Sequence, residues 1–467
     1  MNANQTPKQN DWRRYPYQLV PGDAELDFPA AEGTHVDYES DTWYLAGHLT
    51  GVTSGRRFAF ISIFNRNRPG GDVVADFHTF ALFDLDNNAY GTYTDYDMPP
   101  KNMEPDAKPK LTSAEGYLDL RYQSGAGTTT WTTCRRDDGQ LLPFTYDFAD
   151  FGTTVDGAPM ALRLRVIPER PPAPVGASVY NGKIVACIQD DTYSYFHTGV
   201  RMTGTLSWGE LTEEVTGDSG HIDRQWFPTY AGGGGTGGDP RGQAHEWHTI
   251  SLDNGVDLGV WRQFDRRIGN ALVPFTGITT SYADGTAAEC VEDLEVITTS
   301  YVRWPDQVRS LMRPPSKPRY LPERHILRSA ALDLELVGEP TVTAPAHALP
   351  IEYLEGPYRY HGTMRGTPVT GVALYEATNA MYRDWELIDV LATQVAGAHV
   401  PSAALSEALT KAIDAARTHI ARHDNAVTLK FLEQQLRPLL LELPADLAGD
   451  LLTLLDNLAD AVRNELR

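Results

Sequence analysis

The sequence predicts a mostly β protein with an α-helical segment at its C-terminal end. Between about residues 35 and 375, short segments alternate apolar and polar residues and are separated by turn sequences, as is typical of antiparallel sheets. After about residue 380, apolar residues recur instead at helical spacing. A chain of 467 residues is also too long for one ordinary core, so we expect two or three domains.

The alternation has a period of two residues, which places apolar side chains on one face of a half-buried strand. In RRFAFISIF, by contrast, Phe58 and Phe60 face one way while Ala59 and Ile61 face the other. A strand that is apolar on both faces predicts an interior filled by side chains or by a ligand. The clearest alternating segments are GYLDLRY (116–122), ALRLRV (161–166) and LDLELV (332–337).

Two proline-rich segments, 168–175 and 313–324, are predicted to be linkers or edge segments, because proline cannot continue a central strand. We expect a second β domain to begin at the later of these segments, with a start near residue 240 as the alternative. The predicted parts of the chain are an N-terminal extension (1–35), a first β domain (36–312), the strands of a second β domain (313–380) and an α-helical C-terminal segment (381–467).

The helical segment contains apolar stripes that must be buried. One stripe consists of Leu405, Leu409, Ile413, Ala416 and Ile420. We expect these helices to pack on the β body or on a second copy of the chain, which makes a homo-oligomer one predicted assembly. The later helices are expected to be interrupted at two prolines, Pro438 and Pro444.

Composition excludes several classes of partner. The net charge of −22, without a basic cluster, argues against nucleic acid and anionic membranes. No run of about 18 apolar residues is present, so membrane insertion is not expected. The N-terminus lacks the apolar run of a signal peptide, and a cytoplasmic location is predicted. An odd number of widely separated cysteines argues against a disulfide framework: Cys134, Cys187 and Cys290.

Three polar segments resemble binding motifs, but each has a plainer interpretation. HEWH (245–248) has its histidines three apart and lies on a predicted strand, which does not suit a shared zinc ion. DLDNNAYGTYTD (84–95) lacks the glycine and glutamate of a calcium loop and reads as a hairpin turn. The glycine run (232–238) lacks the flanking helix and lysine of a phosphate loop, and is predicted to be a loop or a lid. We therefore expect no metal and no cofactor.

The segment HIDRQW (221–226) concentrates reactive side chains. On a strand, His221 and Asp223 share one face, where a hydrogen bond between them would form a general acid/base unit. The same bond could instead serve only to pin a sheet corner, and the residues alone do not decide between these readings. On the other face Arg224 and Trp226 are placed for a cation–π contact.

Several segments together resemble a family of lipocalin-like two-domain proteins. This family includes the carotenoid 1,2-hydratases, the AttH domain proteins and the fungal decalin-forming Diels–Alderases. The resemblance implies two lipocalin-like antiparallel β-barrels or sandwiches, an apolar pocket, no cofactor, and chemistry on hydrophobic polyenes, isoprenoids or polyketides. It does not extend to the helical segment. The similar segments are SDTWYLAGHLTG (40–51), GRRFAFISIF (55–64), FHTFALFDLDNNAY (77–90), HIDRQWF (221–227), HEWHTISLDNGVDLGVW (245–261) and EGPYRYHGTMRGTPVTGVALYEATN (355–379).

The chain departs from the hydratase branch at several signature positions. Arg224 stands where that branch has a histidine, and Phe227 stands where it has a glycine. Trp261 and Gln263 replace an expected Tyr-x-Asp pair. Because an arginine remains charged at pH 7, it cannot supply the proton that hydration of an alkene needs.

The sequence therefore predicts a cofactor-independent enzyme that promotes cyclisation of a hydrophobic terpenoid or polyketide, or acid-assisted addition to its C=C bond. The alternatives are a Diels–Alderase-type pericyclase, a carrier of an apolar ligand, and a scaffold assembled through its helices. The predicted catalytic residues are His221, Asp223 and Arg224. The predicted substrate-binding residues are Trp43, Tyr44, Trp226, His245, Trp247 and Trp261.

Overall fold

A computed structural model describes most of the chain as two compact units. The β unit comprises residues 1–295, 328–336 and 340–379, and the helical unit comprises residues 296–327, 337–339 and 380–467. Some residues of each unit lie outside the description. The described residues are 12–19, 24–68, 73–97, 108–175, 183–186, 189–228, 243–265, 271–272, 276–283, 288–303, 319–347, 349, 353–378, 382–383 and 386–465.

The first sheet of the β unit is a curled antiparallel half-barrel. A separate short pair, β1 (Tyr17–Gln18) and β2 (Asp27–Phe28), precedes it. The strands of the first sheet are β3 (Ser40–Gly51), β4 (Arg57–Asn67), β5 (Phe77–Asp84), β6 (Ala89–Tyr96), β7 (Leu111–Ser113), β8 (Asp119–Gln123), β9 (Thr128–Arg135), β10 (Leu141–Thr153), β11 (Pro159–Pro168), β12 (Ala173–Pro174), β13 (Lys183–Ala186), β14 (Gln189–Trp208) and β15 (Leu211–Phe227). These strands run in the order β6-β5-β4-β3-β15-β14-β11-β10-β9-β8-β7, and β12 and β13 pair with β14.

The second sheet is also a curled antiparallel half-barrel. Its strands are β16 (Gln243–Leu252), β17 (Val256–Asp265), β18 (Ala271–Leu272), β19 (Gly277–Tyr282), β20 (Cys290–Val291), β21 (Glu295–Arg303), β22 (Arg319–Ser329), β23 (Leu334–Pro340), β24 (Tyr353–Met364), β25 (Thr367–Thr378) and β26 (Tyr382–Arg383). Within the β unit these strands run in the order β20-β19-β17-β16-β25-β24-β23, with β18 paired to β17. The other three strands, β21, β22 and β26, belong mainly to the helical unit.

The change from the first sheet to the second falls between Phe227 and Gln243, close to the start near residue 240 that the sequence left as an alternative. The predicted hairpin is also present, because β5 and β6 are joined by the four residues 85–88 and not by a calcium loop. The glycine run (232–238) lies outside the described residues, so its predicted role as a lid stays a prediction.

Strand β4 has apolar side chains on both faces, as its sequence predicts, and each face meets a different core. Phe58 and Phe60 belong to the core that fills the first half-barrel. Ala59 and Ile61 pack between the two sheets, in a cluster that includes Tyr353 of the second sheet. The two apolar faces of β4 are therefore both covered by side chains of the chain itself.

The N-terminal extension enters the interior of the first half-barrel. Trp12, Leu26 and Phe28 are buried in the same core as the strands of that sheet. Part of this extension, residues 24–35, is referred to below as the N-terminal strap. Its burial shows that the inside of the first half-barrel is filled by the chain's own apolar side chains.

The helical unit buries the predicted apolar stripe within itself. Leu405, Leu409 and Ile413 pack in one cluster with the other helices and with Tyr301 and Tyr320 of the unit's own strands. Its helices are α1 (Leu387–Gly397), α2 (Ala403–Ala421), α3 (Asn425–Phe431), a π-helical turn (Leu432–Leu436), α4 (Arg437–Leu440) and α5 (Ala445–Glu465).

The ends of the helices follow from local chemistry. Ser402 begins α2 by accepting a hydrogen bond at its side chain from the backbone N–H of Leu405, over 3.1 Å. Pro438 was expected to interrupt a helix, but helical conformation continues from Asn425 to Leu440. The π-helical turn lies directly before this proline, where the missing N–H would otherwise break a regular turn. None of the described helices is long and apolar enough to cross a membrane.

Candidate active site

Strand β15 places two of the predicted catalytic residues on the face of the first sheet that meets the second sheet. Asp223 lies opposite Tyr44 of β3 and opposite Phe196 of β14. His221 is two residues earlier and shares this face. The period-two pattern of β15 thus brings Phe196, Asp223 and Tyr44 into one row across three strands.

The second sheet presents a matching row. Trp261, Trp247, Glu376 and Glu355 are direct cross-strand partners on β17, β16, β25 and β24. The two rows meet, because the rings of Phe196 and Trp247 are 5.4 Å apart in an edge-to-face contact. The inter-sheet site therefore combines carboxyl groups with aromatic rings, and residues of both sheets build it.

Glu355 is the most enclosed carboxyl group of this site. It is 1% exposed, and its two oxygens accept hydrogen bonds from the hydroxyls of Tyr44 and Tyr353. Burial raises the pKa of Glu355 well above its usual value, and the nearby carboxyl of Glu376 raises it further. The surroundings of Glu355 therefore favour its protonated form.

Asp223 is a second acid in the same site, and it remains partly exposed. Desolvation, reinforced by the charge of Glu376, raises the pKa of Asp223 to about 7. A 3.4 Å hydrogen bond from Ser194 and the positive charge of Arg224 oppose that shift. At neutral pH Asp223 is thus poised between its acid and base forms.

An aromatic wall stands beside these acids. His245 contacts Glu376, with 2.9 Å between Nε2 and a carboxylate oxygen, and its ring stacks on Trp261 at 4.8 Å. Trp247 follows at 6.2 Å from Trp261. His245 and Glu376 keep 24% and 16% of their side-chain surface exposed, so this side of the site is open to solvent.

His221 has other partners than the predicted one. Its Nδ1 is 2.9 Å from the hydroxyl of Thr249, and its ring stacks on Tyr44 at 4.7 Å. The expected His221–Asp223 hydrogen bond is absent among the described contacts, since Asp223 bonds Ser194 instead. Burial lowers the pKa of His221 to about 3, so this imidazole is neutral at pH 7.

Arg224 faces away from the inter-sheet site, into the first half-barrel. It is 2% exposed and donates hydrogen bonds to the backbone carbonyls of Thr42 and Gly33, over 2.5 and 2.6 Å. Its guanidinium lies 4.1 Å from the ring centre of Trp43 and 5.5 Å from that of Trp226. The predicted cation–π contact is present, and the hydrogen bond to Gly33 ties the N-terminal strap to the sheet.

The two tryptophans beside Arg224 lie in the same interior and not in the inter-sheet site. The indole N–H of Trp43 donates to the carbonyl of Glu32 in the strap, over 2.9 Å. Trp226 stacks on His35 at 3.9 Å. The predicted site residues therefore divide into two groups on opposite faces of the first sheet. His221, Asp223, Tyr44, His245, Trp247 and Trp261 are brought together, whereas Arg224, Trp43 and Trp226 are not.

Sequence reasoning missed Glu355, Glu376 and Tyr353. A signal for them was present, because a glutamate interrupts the apolar strand segments YLEG and ALYEAT. What the sequence did not reveal was that β24 and β25 pair in the register that sets Glu355 opposite Glu376.

The two histidines of the HEWH segment lie on opposite faces of β16. His245 faces the inter-sheet site, while His248 lies on the other face and contacts the hydroxyl of Tyr360 at 2.6 Å. Among the residues that the structure describes, no group of three or more histidine, cysteine or acidic side chains could hold a metal ion.

Two curled antiparallel sheets with a row of acids and aromatic rings between them define a lipocalin-like two-sheet protein. The chain belongs to the AttH-like family, whose pattern matches residues 19–378. The resemblance inferred from the sequence is thereby confirmed, and the helical segment lies beyond the matched range. No curated protein matches the chain in sequence.

Solved structures share this fold. An AttH protein from Nitrosomonas europaea superposes with a TM-score of 0.51 at 16% identity, covering 78% of this chain and 99% of that one. Kievitone hydratase from Nectria haematococca superposes with a TM-score of 0.51 at 12% identity, covering 78% of this chain and 98% of that one. The predicted lipocalin-like fold is confirmed by these likenesses.

Proposed function

We propose that this chain is a hydratase- or cyclase-type enzyme that protonates a carbon–carbon double bond of a hydrophobic terpenoid or polyketide. The observation that carries the proposal is the presence of two carboxyl groups with raised pKa, Asp223 and Glu355, in one site lined by aromatic rings. Protonation of an isolated alkene needs a strong, well-placed acid, and burial is the usual means of keeping a carboxylic acid protonated at neutral pH.

Asp223 is the proton donor in this proposal. It keeps partial exposure, so a bound substrate can reach it, and its pKa of about 7 leaves a large acid fraction at neutral pH. Glu355 is held by two tyrosine hydroxyls, and burial raises its pKa well above the usual value. Its role is to keep a second negative charge away from the donor and to fix the ring of Tyr44.

The aromatic wall can stabilise the positive charge that protonation creates on the substrate. A protonated alkene is a carbocation, and the faces of aromatic rings attract cations. Phe196, Trp247 and Trp261 are buried beside the acid and present such rings. Capture of the cation by water gives hydration, and capture by a second double bond of the same substrate gives cyclisation. The step uses only side chains and, for hydration, water.

Two other functions, a pericyclase and a carrier, would give different results in the experiment described below. A pericyclase would hold its substrate folded without moving a proton, and a carrier would bind it unchanged. The raised pKa values favour proton transfer over both, since neither alternative has a use for a buried protonated acid. The fold is compatible with the proposal, because kievitone hydratase shares it.

The proposal is tested by native mass spectrometry of the purified protein with organic extraction of any bound compound, followed by incubation with linear terpenoids and polyketide polyenes. We expect a co-purifying apolar compound, and conversion of a linear precursor that is lost in Asp223→Asn. Asp218→Asn, an exposed carboxyl on the same strand, is the matched control. Recovery of every compound unchanged favours a carrier. Activity that survives Asp223→Asn but falls in Trp247→Ala favours a pericyclase.

A further inference from the structure

A small polar cleft lies between the two sheets, on the far side of His221 from Asp223. It is lined by His48, Ser219 and His221 of the first sheet and by Thr249, Ser251 and Leu374 of the second. Its free interior accommodates about one water molecule. No motif in the sequence points to this cleft, and the proposed proton transfer does not involve it.

Two irregularities of the first sheet border the cleft. The pairing of β15 with β3 shifts register between Thr216 and Gly220, directly before His221. The pairing of β14 with β15 shifts between His197 and Val200, next to Thr198, which also lines the cleft. Such bulges re-aim side chains and are over-represented beside active sites. Here both bulges lie next to residues that line the cleft, Thr198 and His221.

His48 supplies an acceptor to the cleft. Its ring donates one hydrogen bond to the backbone of Ser219. The other ring nitrogen, Nε2, is buried and has no partner among the described residues. Because the pKa of His48 is lowered by burial to about 4, the ring is neutral at pH 7. With the proton on Nδ1, the buried Nε2 carries a bare lone pair, and a buried acceptor of this kind is normally met by water.

The cleft connects to the reaction site through His221. One edge of this ring faces the cleft and contacts Thr249, while its face stacks on Tyr44, whose hydroxyl donates to Glu355. Asp223 follows two residues along the same strand and on the same face. His221 is therefore the residue that lines the cleft and also shares the strand face of the proton donor.

We infer that this cleft is a binding site for the water molecule that adds to the protonated substrate, with His48 as its anchor. The inference rests on the proposed function and names the second substrate of the reaction. The donor Asp223 forms the new C–H bond and becomes a carboxylate. The oxygen of the water then forms the C–O bond to the cationic carbon, and the released proton returns to Asp223. Water is consumed, and the acid is regenerated.

The site also bears on which product is formed. A water held in this cleft lies against His221, separate from the solvent that reaches His245 and Glu376. A cyclase or a pericyclase has no need of such a site, because neither adds water. The cleft therefore favours hydration over cyclisation or a pericyclic reaction.

The structural test is a high-resolution crystal structure of the intact chain and of His48→Phe, which keeps an aromatic ring at the cleft but removes the acceptor. We expect an ordered water within about 3.2 Å of His48 Nε2 in the wild type, and none in the variant. An empty or dry cleft in the wild type overturns the inference and leaves the proposed acid chemistry intact.

The functional test uses the linear polyene that the wild type converts, in water enriched in ¹⁸O. We expect His48→Phe to lower the ¹⁸O-labelled adduct about tenfold or more relative to unhydrated products. His48→Gln, whose amide oxygen can replace the acceptor, should restore part of it. His361→Phe, at an exposed histidine, is the control. An unchanged product ratio in His48→Phe overturns the inference, whereas failure of every polyene to react removes the proposed function itself.

Discussion

At the scale of single residues, burial gives chemically similar carboxyls different tasks. Asp223 and Glu355 face the inter-sheet site, where desolvation keeps them in or near their acid forms. Asp41, on the opposite face of the sheet, is also fully buried, but its contacts with His35 and Arg224 hold its pKa below the usual value. Position along a strand is therefore not enough to assign a role, because the partners on each face decide the charge.

The pKa of Asp223 predicts the pH dependence of the reaction. Since the donor must be protonated, kcat/KM should be highest below the pKa and should fall as pH rises through about 7. The measurement is a kcat/KM profile from pH 5 to 9 for the wild type. A flat profile across pH 7 would remove Asp223 as the donor.

A carboxyl in the N-terminal strap predicts a pH dependence of stability. Glu32 is 2% exposed, and burial raises its pKa to about 7, against hydrogen bonds from Tyr15 and Tyr146 that lower it. The folded state therefore binds more protons than the unfolded state between about pH 4.5 and 7, and stability should decrease as pH rises through this window.

The variant Glu32→Gln keeps an acceptor for both tyrosines but cannot ionise. We expect it to match the wild type at pH 5 and to be more stable at pH 8 by up to about 3 kcal/mol in urea unfolding. An exposed carboxyl of the same type, Glu210→Gln, serves as the control. Equal stability of Glu32→Gln and the wild type at both pH values would show that Glu32 ionises normally.

At the scale of elements, β15 shows what the sequence could and could not predict. Its period of two correctly separated His221 and Asp223 from Arg224 and Trp226. It did not show which face meets the second sheet and which meets the strap, because that depends on residues 12–35 folding into the half-barrel. Arg224 therefore looked catalytic from the sequence, although in the structure it fixes the strap.

The same limit explains the missed acids. Glu355 lies 132 positions after Asp223 in the sequence, and only the pairing of β24 with β25, together with the packing of the two sheets, brings these carboxyls into one site. Local patterns encode which residues share a strand face. They do not encode which strands become neighbours, since that is decided by long-range packing.

The position of Arg224 predicts that its substitution lowers the stability of the fold, and that any loss of activity is a consequence of the lower stability. Replacing it with methionine keeps an apolar stem but leaves the carbonyls of Gly33 and Thr42 without this donor. We expect Arg224→Met to lower the free energy of unfolding by about 3 kcal/mol. Arg165→Met, which removes an exposed ion pair with Asp147, should change it by less than about 0.5 kcal/mol. Loss of activity in Arg224→Met with unchanged stability would instead give Arg224 the catalytic role that the sequence suggested.

At the scale of the whole molecule, the burial of the helical stripe bears on assembly. The sequence offered two ways to bury it, on the body of the chain or on a second copy. In the structure Leu405, Leu409 and Ile413 are buried within the helical unit itself. Among its described residues, the large apolar side chains that remain exposed are Val427 and Leu441. These are too few for a stable interface.

We therefore predict that the described part of the helical unit does not join two copies of the chain at micromolar concentration. Light scattering coupled to size-exclusion chromatography measures the mass in solution, and we expect this mass to be the same in Leu441→Glu. A dimer that Leu441→Glu dissociates would contradict the prediction, because a charge there would break an interface formed by the helical unit.

Proton transfer from Asp223 to a carbon atom of the substrate can be followed by running the reaction in D₂O and analysing the product by mass spectrometry. We expect one carbon-bound deuterium in each product molecule, and loss of both product and label in Asp223→Asn. Product formed without carbon-bound deuterium would contradict this transfer, since the protein would then fold its substrate for a reaction in which no proton moves.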